Sequence, residues 1–301
     1  MAQTPSIEQI ALQLKQARYL AGEDVAAALH LSLKLDKPLL VEGVAGCGKT
    51  ELAKVLSTIL NTDLIRLQCY EGLDSHVTIY EWDYLRQLLA IRIREGRAEI
   101  KGVENEIFSE RYLLKRPLLQ ALLNKERPPV LLIDELDRAD EEFEGFLLEF
   151  LAEFQVTIPE LGTLRATYKP YVIITSNRTR EIGDGIRRRC LYLYVTYPDP
   201  QRELQIVKTK IPELDTSLSR QIVDFVQKVR EIDDLQRHPG VSETLDWANS
   251  FVGTSIGKLD AQSVSSTMSC LIKDADDIQK FTQSRIQELL SSRTEKVTTS
   301  A

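Results

Sequence analysis

The stretch "GVAGCGKT", Gly43 to Thr50, constrains the fold of this chain more than any other. It satisfies every fixed position of G-x-x-x-x-G-K-[ST]. It follows "KPLLVEG" (37–43), a short apolar run closed by glycine that reads as a buried strand, and it opens "TELAKVLSTIL", whose apolar spacing is helical. Strand, glycine-rich turn and helix N-terminus in that order make an anion cradle. The glycines let backbone N–H groups curl round phosphate oxygens, and the helix dipole adds positive potential. A structural turn with an exposed lysine is the competing reading, and the flanking strand and helix weigh against it. Gly43, Val44, Ala45, Gly46, Cys47, Gly48, Lys49, Thr50 and Glu51 are therefore the candidate nucleotide-binding residues. Lys49 is expected to neutralise the β- and γ-phosphates of ATP, and the Thr50 hydroxyl to ligate Mg2+.

The surrounding pattern alternates strands with helices. "DLIRLQC" (63–69) reads as a strand, and "PVLLID" (129–134) and "PYVIITSN" (170–177) are continuous apolar runs suited to the interior of a parallel sheet covered on both faces. Between the last two, Phe143, Phe146, Leu147, Phe150, Leu151 and Phe154 fall on one helical face, with Asp140, Glu141 and Glu142 in the first turn. "QVTIPELGTLRATY" (155–168) predicts a hairpin turning near Pro159–Gly162. Residues 1–37 read as helical from a cap at Thr4-Pro5-Ser6, and 79–126 as mostly helical, interrupted near Gly96 and Gly102. The fold class is doubly wound α/β. It is expected to end at the two prolines of "YPDPQRE", giving an α/β core over 1–197, a helical lid over 198–292 and a disordered tail over 293–301.

Composition narrows the function classes. Of 301 residues, 43% are hydrophobic and 28% charged, the balance of a soluble globular protein, and the net charge of −7 argues against a surface built mainly for nucleic acid. The four cysteines are scattered without a C-x-x-C pair and there are only three histidines, which argues against a structural zinc site and for reduced thiols. The polar N-terminal stretch and the lack of an apolar run near the ~20 residues that span a bilayer predict a cytoplasmic protein without membrane insertion.

Hydrolysis of a nucleoside triphosphate needs an acid for the metal and a base for water, and "PVLLIDELDRAD" supplies both. Asp134, at the end of its strand, is expected to hold Mg2+. Glu135, on the opposite side of the pleat, is expected to orient and activate the attacking water. Asp137 and Arg138 are ambiguous, pairing with each other being the simplest reading. Asn177 ends a strand expected to lie between those carrying the two nucleotide motifs, where it can position that water; an Asn that merely starts a turn is the alternative. "GDGIRRRCLYLYV" (183–195) then poses a charge problem, because Arg187, Arg188 and Arg189 are consecutive. The C-terminus of a short helix accounts for one of them. An arginine presented to a neighbouring subunit's ATP accounts for the cluster, so the missing anion is expected on another chain.

Together "GVAGCGKT", "CYEGLDSHVTIYEWDYLRQLL", "LLIDELDRADEEFEGFLLEFLAEFQVTIPELG" and "TSNRTREIGDGIRRRCLYLYVTYPD" resemble MoxR-type AAA+ ATPases, with the nearest likeness to the accessory ATPases of molybdenum hydroxylases such as aerobic carbon monoxide dehydrogenase. The resemblance runs from about residue 20 to 255. It implies an AAA+ core with a five-stranded parallel sheet, a C-terminal helical lid, and assembly into a homohexameric ring. It also implies that Asn177 is sensor 1, that Arg189 is the arginine finger acting in trans with Arg188 second, and that the 155–168 hairpin faces the ring's pore. The region after Gly72 is similar to that clade's insert in the second helix. One departure stands out. Relatives place an arginine at the end of a Gly-x-Ser-x-Arg segment in the lid, and here "GVSET" keeps Gly240 and Ser242 but has Thr244 instead. Arg237 and His238 lie nearby as substitutes, although a solvated loop accounts for both.

The resemblance implies a ring that remodels or matures a client metalloenzyme through an adaptor with a von Willebrand A domain. A nucleotide-gated assembly module with little turnover is an alternative, which Glu135 and Asn177 weigh against. A DNA-acting motor is another, disfavoured by the acidic balance and by the acidic turn "PELG".

Overall fold

The structure is a computed structural model that describes residues 4–95, 107–254 and 256–291. The expected helix breaks near Gly96 and Gly102 and the expected tail 293–301 lie outside the described residues. The chain divides into two compact units. One comprises 1–17, 21–42 and 50–194; the other comprises Arg18–Leu20, Gly43–Lys49 and the chain from Val195 onward. The glycine-rich loop and a three-residue N-terminal segment group with the helices.

The first unit is built on a sheet of β1 (Leu39–Gly43), β2 (Leu64–Gln68), β5 (Val130–Asp134), β8 (Tyr171–Ser176) and β9 (Leu191–Val195), in the order β2-β5-β8-β1-β9. The pairs β2–β5, β5–β8 and β8–β1 are parallel. The three central strands are almost wholly buried because their side chains are apolar on both faces. The strand β8, which stops at Ser176 one residue before Asn177, thus lies between those leading to the two nucleotide motifs, the place expected for it. The register sets Gln68 of β2 opposite Asp134 of β5.

Local chemistry accounts for the flanking elements. Ser6 caps the helix Ile7–Gln16 through a capping box with Gln9. The helical region expected over 1–37 is broken at 17–22 before resuming as Glu23–Leu35. Asp140 accepts from the Phe143 backbone N–H and starts the helix Glu141–Glu153, whose Phe143, Leu147, Phe150 and Leu151 are buried. The hairpin pairs β6 (Gln155–Ile158) with β7 (Gly162–Arg165).

Residues 79–126 differ from the expected helical region. The helices Tyr84–Glu95 and Pro117–Leu122 are present, but β3 (Tyr80–Trp82) and β4 (Leu113–Lys115) form an antiparallel pair, Tyr80 opposite Lys115. Each strand has three residues, too few for an alternating pattern to register, and the partner lies some thirty positions away. Trp82 and Tyr112 pack in the core, whereas Tyr70 is exposed.

The second unit holds the helices Pro200–Lys210, Thr216–Arg230, Val241–Thr254, Ala261–Leu271, Ala275–Lys280 and Gln283–Ser291. Thr216–Arg230 shows why they fold. Asp215 caps it by accepting from the Ser217 and Leu218 backbone N–H groups, and Leu218, Ile222, Val223, Phe225, Val226 and Val229 form one buried face. That face packs with Trp247, Phe251, Val264 and Met268 in a core of its own. Among the described residues no helix is long and apolar enough to cross a membrane.

Candidate nucleotide and metal site

The glycine-rich loop, Gly43–Lys49, needs glycine at two positions for visible reasons. A Cβ on Gly43 would lie 1.9 Å from the Val195 carbonyl oxygen. Gly46 has φ +73°, and a Cβ there would meet the Ser242 hydroxyl at 2.7 Å and Gly240 Cα at 3.1 Å. The Ser242 backbone N–H donates to the Gly46 carbonyl at 3.1 Å, so the start of the helix Val241–Thr254 lies against the loop, backbone on backbone. Lys49 Nζ donates to the carbonyls of Gly43 (2.9 Å) and Val44 (2.7 Å). The Cys47 thiol donates to the Val44 carbonyl, and burial pushes its pKa up. Glu51, also expected at the nucleotide, pairs with Lys54 at 3.2 Å.

Tyr19 was not legible as a site residue. Its hydroxyl donates to the Gly48 carbonyl at 3.4 Å. It comes from the short segment 18–20, which lies outside both flanking helices and carries no motif.

The departure at Thr244 has a structural counterpart. Thr244 is fully buried, and its hydroxyl donates to Glu203 Oε1 at 2.7 Å. Glu203, 0% exposed, is gripped by Arg230, whose Nη1 and Nη2 each donate at 2.7 Å to a different carboxylate oxygen. The Arg230 guanidinium also lies 4.5 Å from the centre of the Tyr197 ring. Position 244 therefore serves the interior of the helical unit. Arg237 and His238 are exposed, and the His238 ring bonds the Ile232 carbonyl at 3.0 Å.

In the other unit, the Thr50 hydroxyl donates to Asp134 Oδ1 at 3.0 Å. Two oxygens in adjacent octahedral positions round Mg2+ stand about 3 Å apart, given ligand distances of about 2.1 Å. Both are hard oxygen donors, so the pair fits Mg2+. Among the described residues no cluster of three or more His, Cys, Asp or Glu could hold a metal. A cation here would need oxygens from a nucleotide, the usual arrangement for magnesium.

Glu135 departs from the expected pleat. The strand stops at Asp134, and Glu135 adopts a left-handed conformation (φ 57°, ψ 51°) that opens the 3-10 turn Leu136–Arg138. Its backbone N–H donates to Thr175 Oγ1 at 2.9 Å, which holds this uncommon geometry. The turn, rather than strand alternation, thus aims its carboxylate. Asn177 Nδ2 donates to Glu135 Oε1 at 3.2 Å and Gln68 Nε2 to Oε2 at 2.9 Å. Arg138 pairs with Glu135 at 3.3 Å. It does not pair with Asp137, the simplest reading of the sequence. Asp137 is buried and accepts from the Asn177 and Thr179 backbone N–H groups and the Thr179 hydroxyl, because the 3-10 turn faces it toward the loop after β8.

Arg66 and Gln68 were missed. Arg66 donates to Asp134 Oδ2 through Nε (2.9 Å) and Nη2 (2.6 Å) and also reaches Gln68 Oε1. A signal existed, since polar residues two apart share one face of a strand. Which strand that face adjoins was not readable from the pattern.

The three arginines separate. Arg187 donates to Glu42 at 2.9 and 3.1 Å, and the Tyr192 hydroxyl donates to the same carboxylate at 2.9 Å. The anion expected elsewhere is, for Arg187, on this chain: β9 adjoins β1 and brings the end of the helix Asp184–Arg189 to Glu42. Arg189 Nη1 donates to the Leu148 carbonyl at 2.7 Å. Arg188 has a side chain 83% exposed, its nearest acid being Asp184 at 3.8 Å.

Among known proteins, the chain is 24% identical over 202 residues to an uncharacterized protein of Staphylococcus aureus, covering 65% of this chain and 69% of that one. It is likewise 24% identical over 203 residues to an uncharacterized protein of Staphylococcus haemolyticus, with the same coverage. Among solved structures it is similar to the RuvB Holliday junction branch migration motor of Thermotoga maritima, with TM-score 0.47 and 16% identity over 82% of this chain and 67% of that one. A mutant of the same protein gives TM-score 0.49 and 15% identity over 93% and 72%. The family model for the ATPase family associated with various cellular activities (AAA) matches residues 39–195, more than half of the chain, and this protein belongs to that family and is an ATPase.

Proposed function

We propose that the chain hydrolyses ATP with Mg2+ at the residues assembled round Asp134 and Glu135. The observation that carries this reading is Glu135. Its left-handed backbone and its bonds from Gln68 and Asn177 hold a carboxylate beside the Asp134–Thr50 pair, which fits a metal. Mg2+, when bound, supplies charge neutralisation at the β- and γ-phosphates. Thr50 and Asp134 would hold it, and the glycine-rich loop, by its sequence, is the segment that would receive the phosphates. Glu135 orients the attacking water and accepts its proton, and Asn177 fixes that carboxylate's direction.

The reading extends to assembly. AAA proteins commonly act as rings, and Arg188 and Arg189 are the candidates for an arginine acting in trans, since Arg187 is committed to Glu42. The exposure of Arg188 supports its availability to a neighbour, and the resemblance favours Arg189. The MoxR-type strings support a homohexameric ring that remodels or matures a client metalloenzyme through a von Willebrand A adaptor. An α/β core over 1–197 with a lid over 198–292 and a cytoplasmic location complete the reading.

Specific ATPase activity measured against protein concentration tests it, with Arg188→Ala and Arg189→Ala alongside. Activity should rise cooperatively, and one variant should lose about a thousandfold or more while still binding nucleotide. Concentration-independent activity shared by both variants would remove the trans arginine.

A further inference from the structure

Asp134 is 1% exposed, and both of its oxygens are already engaged. Oδ1 accepts from the Thr175 hydroxyl at 2.6 Å and from Thr50 at 3.0 Å. Oδ2 accepts twice from Arg66, at 2.6 and 2.9 Å, with the Thr50 hydroxyl 3.3 Å away. The hydroxyls can rotate and turn a lone pair toward a metal. Arg66 cannot, because a guanidinium only donates and keeps its charge at any relevant pH. A divalent cation on Thr50 and Oδ1 would therefore share the carboxylate with Arg66 and stand close to a fixed positive charge.

The position of Arg66 leaves it somewhere to go. It lies on β2, an edge strand of the sheet, and its side chain is 51% exposed although its partner is buried. A guanidinium released there meets water, or phosphate oxygens that it matches with paired donors. Removing it from Asp134 without an incoming anion leaves a cation beside a divalent ion. When the triphosphate arrives, its negative charge compensates both.

We infer that Arg66 is a metal-excluding residue: the forked grip on Oδ2 fixes its charge beside Oδ1, bars a free divalent cation from the Thr50–Oδ1 site and admits one only together with nucleotide phosphates. The inference rests on Asp134 being the metal ligand. Arg66 acts through Asp134 and is a positioning residue. It makes metal loading conditional on nucleotide, so a cell's free Mg2+ does not fill the site ahead of ATP.

Mn2+ binding to the full chain, followed by the EPR signal of free and bound ion, tests this with no turnover involved. Wild type, Arg66→Ala, Arg66→Lys and Asp134→Asn are compared, each without nucleotide and with a non-hydrolysable ATP analogue, and thermal unfolding checks that each is folded. Without nucleotide, Arg66→Ala should bind Mn2+ at least tenfold more tightly than wild type, and with the analogue the gap should shrink to within about twofold. Arg66→Lys, which keeps the charge but loses the fork, should show part of the gain. It also serves alone if the alanine variant does not fold. Mn2+ affinity equal to wild type in both Arg66 variants without nucleotide would overturn the inference while Asp134→Asn still abolishes loading with the analogue. A lysine variant matching wild type beside a tightened alanine variant would overturn it too, since charge at a distance would then suffice. Unchanged loading in Asp134→Asn would remove the metal assignment itself, and the inference with it.

Discussion

Arg187 and Glu42 form a salt bridge at 2.9 Å across 145 positions of sequence. Glu42 is 1% exposed and is the penultimate residue of the strand that leads into the glycine-rich loop. Tyr192 donates to the same carboxylate, and the Arg187 guanidinium lies 5.9 Å from the centre of the Tyr192 ring. A carboxylate buried at this point would be very costly alone, so the arginine is part of the fold rather than spare charge.

Arg187→Ala should therefore destabilise the protein by about 2 kcal/mol. That is less than the roughly 3–5 kcal/mol of a fully buried pair, because Arg187 keeps some solvent contact. Urea unfolding measures it, and Arg188→Ala, removing an exposed charge, should stay within about 0.5 kcal/mol of wild type.

Replacing Glu135 by Gln should leave ATP affinity unchanged and lower turnover by about a hundred- to ten-thousandfold, as expected on losing a general base. Asn177→Ala should lower kcat without moving nucleotide affinity, since Asn177 touches the Glu135 carboxylate. Equilibrium binding of a fluorescent nucleotide set beside steady-state turnover separates the two quantities.

Placing an arginine at position 244 should not raise activity. Thr244 is fully buried against Glu203 and Arg230, so Thr244→Arg must overpack the interior and bury a second cation. The expected result is a lower unfolding midpoint with no gain in ATPase rate. Arg230→Ala, leaving Glu203 unpaired at 0% exposure, should cost about 3–5 kcal/mol in the same assay.

Gly46→Ala should abolish nucleotide binding. A Cβ at φ +73° would press on Ser242 and Gly240, and the loop would have to leave its shape to relieve it. Loss of binding with a near-native circular dichroism spectrum would be the signature.

Alkaline pH should destabilise the fold through two thiols. Burial pushes Cys69 and Cys190 up to about 12 from an ordinary value near 9, with Asp134 adding to the effect at Cys69. The folded state thus favours the neutral thiol. The stability this gives is complete below about pH 9 and is lost as pH rises toward 12. Thermal unfolding from pH 7 to 11 should fall less steeply in a Cys69→Ala, Cys190→Ala variant above pH 9.

The candidate nucleotide motifs stood out in the sequence because the chemistry they suggest is local. A phosphate cradle needs a strand, a turn and a helix start in consecutive residues, and Gly43 to Thr50 contains them all. Apolar runs such as Val130–Asp134 and Tyr171–Ser176 identified central strands, since a strand buried on both faces has no polar positions to confuse the pattern. The hairpin at 155–165 showed its turn residues directly. By contrast, the β3–β4 pair depends on two three-residue strands meeting across a long connection.

Sequence alone determined the fold class and the helical character of the chain after 200, and it singled out the glycine-rich loop, Asp134, Glu135 and Asn177 as candidates. Each rests on residues close together in the chain, or on one strand's own end. Only tertiary structure decided what those residues touch. That Arg66 lies on Asp134, that Gln68 and Asn177 share Glu135, that Arg187 answers Glu42 while Arg188 faces solvent, and that Thr244 closes a buried Glu203–Arg230 pair all depend on strand order, register and helix packing. Charge and hydrogen-bonding capacity are written in the sequence, but a partner is a matter of distance, and distance between remote residues is set only when the sheet and the helices pack.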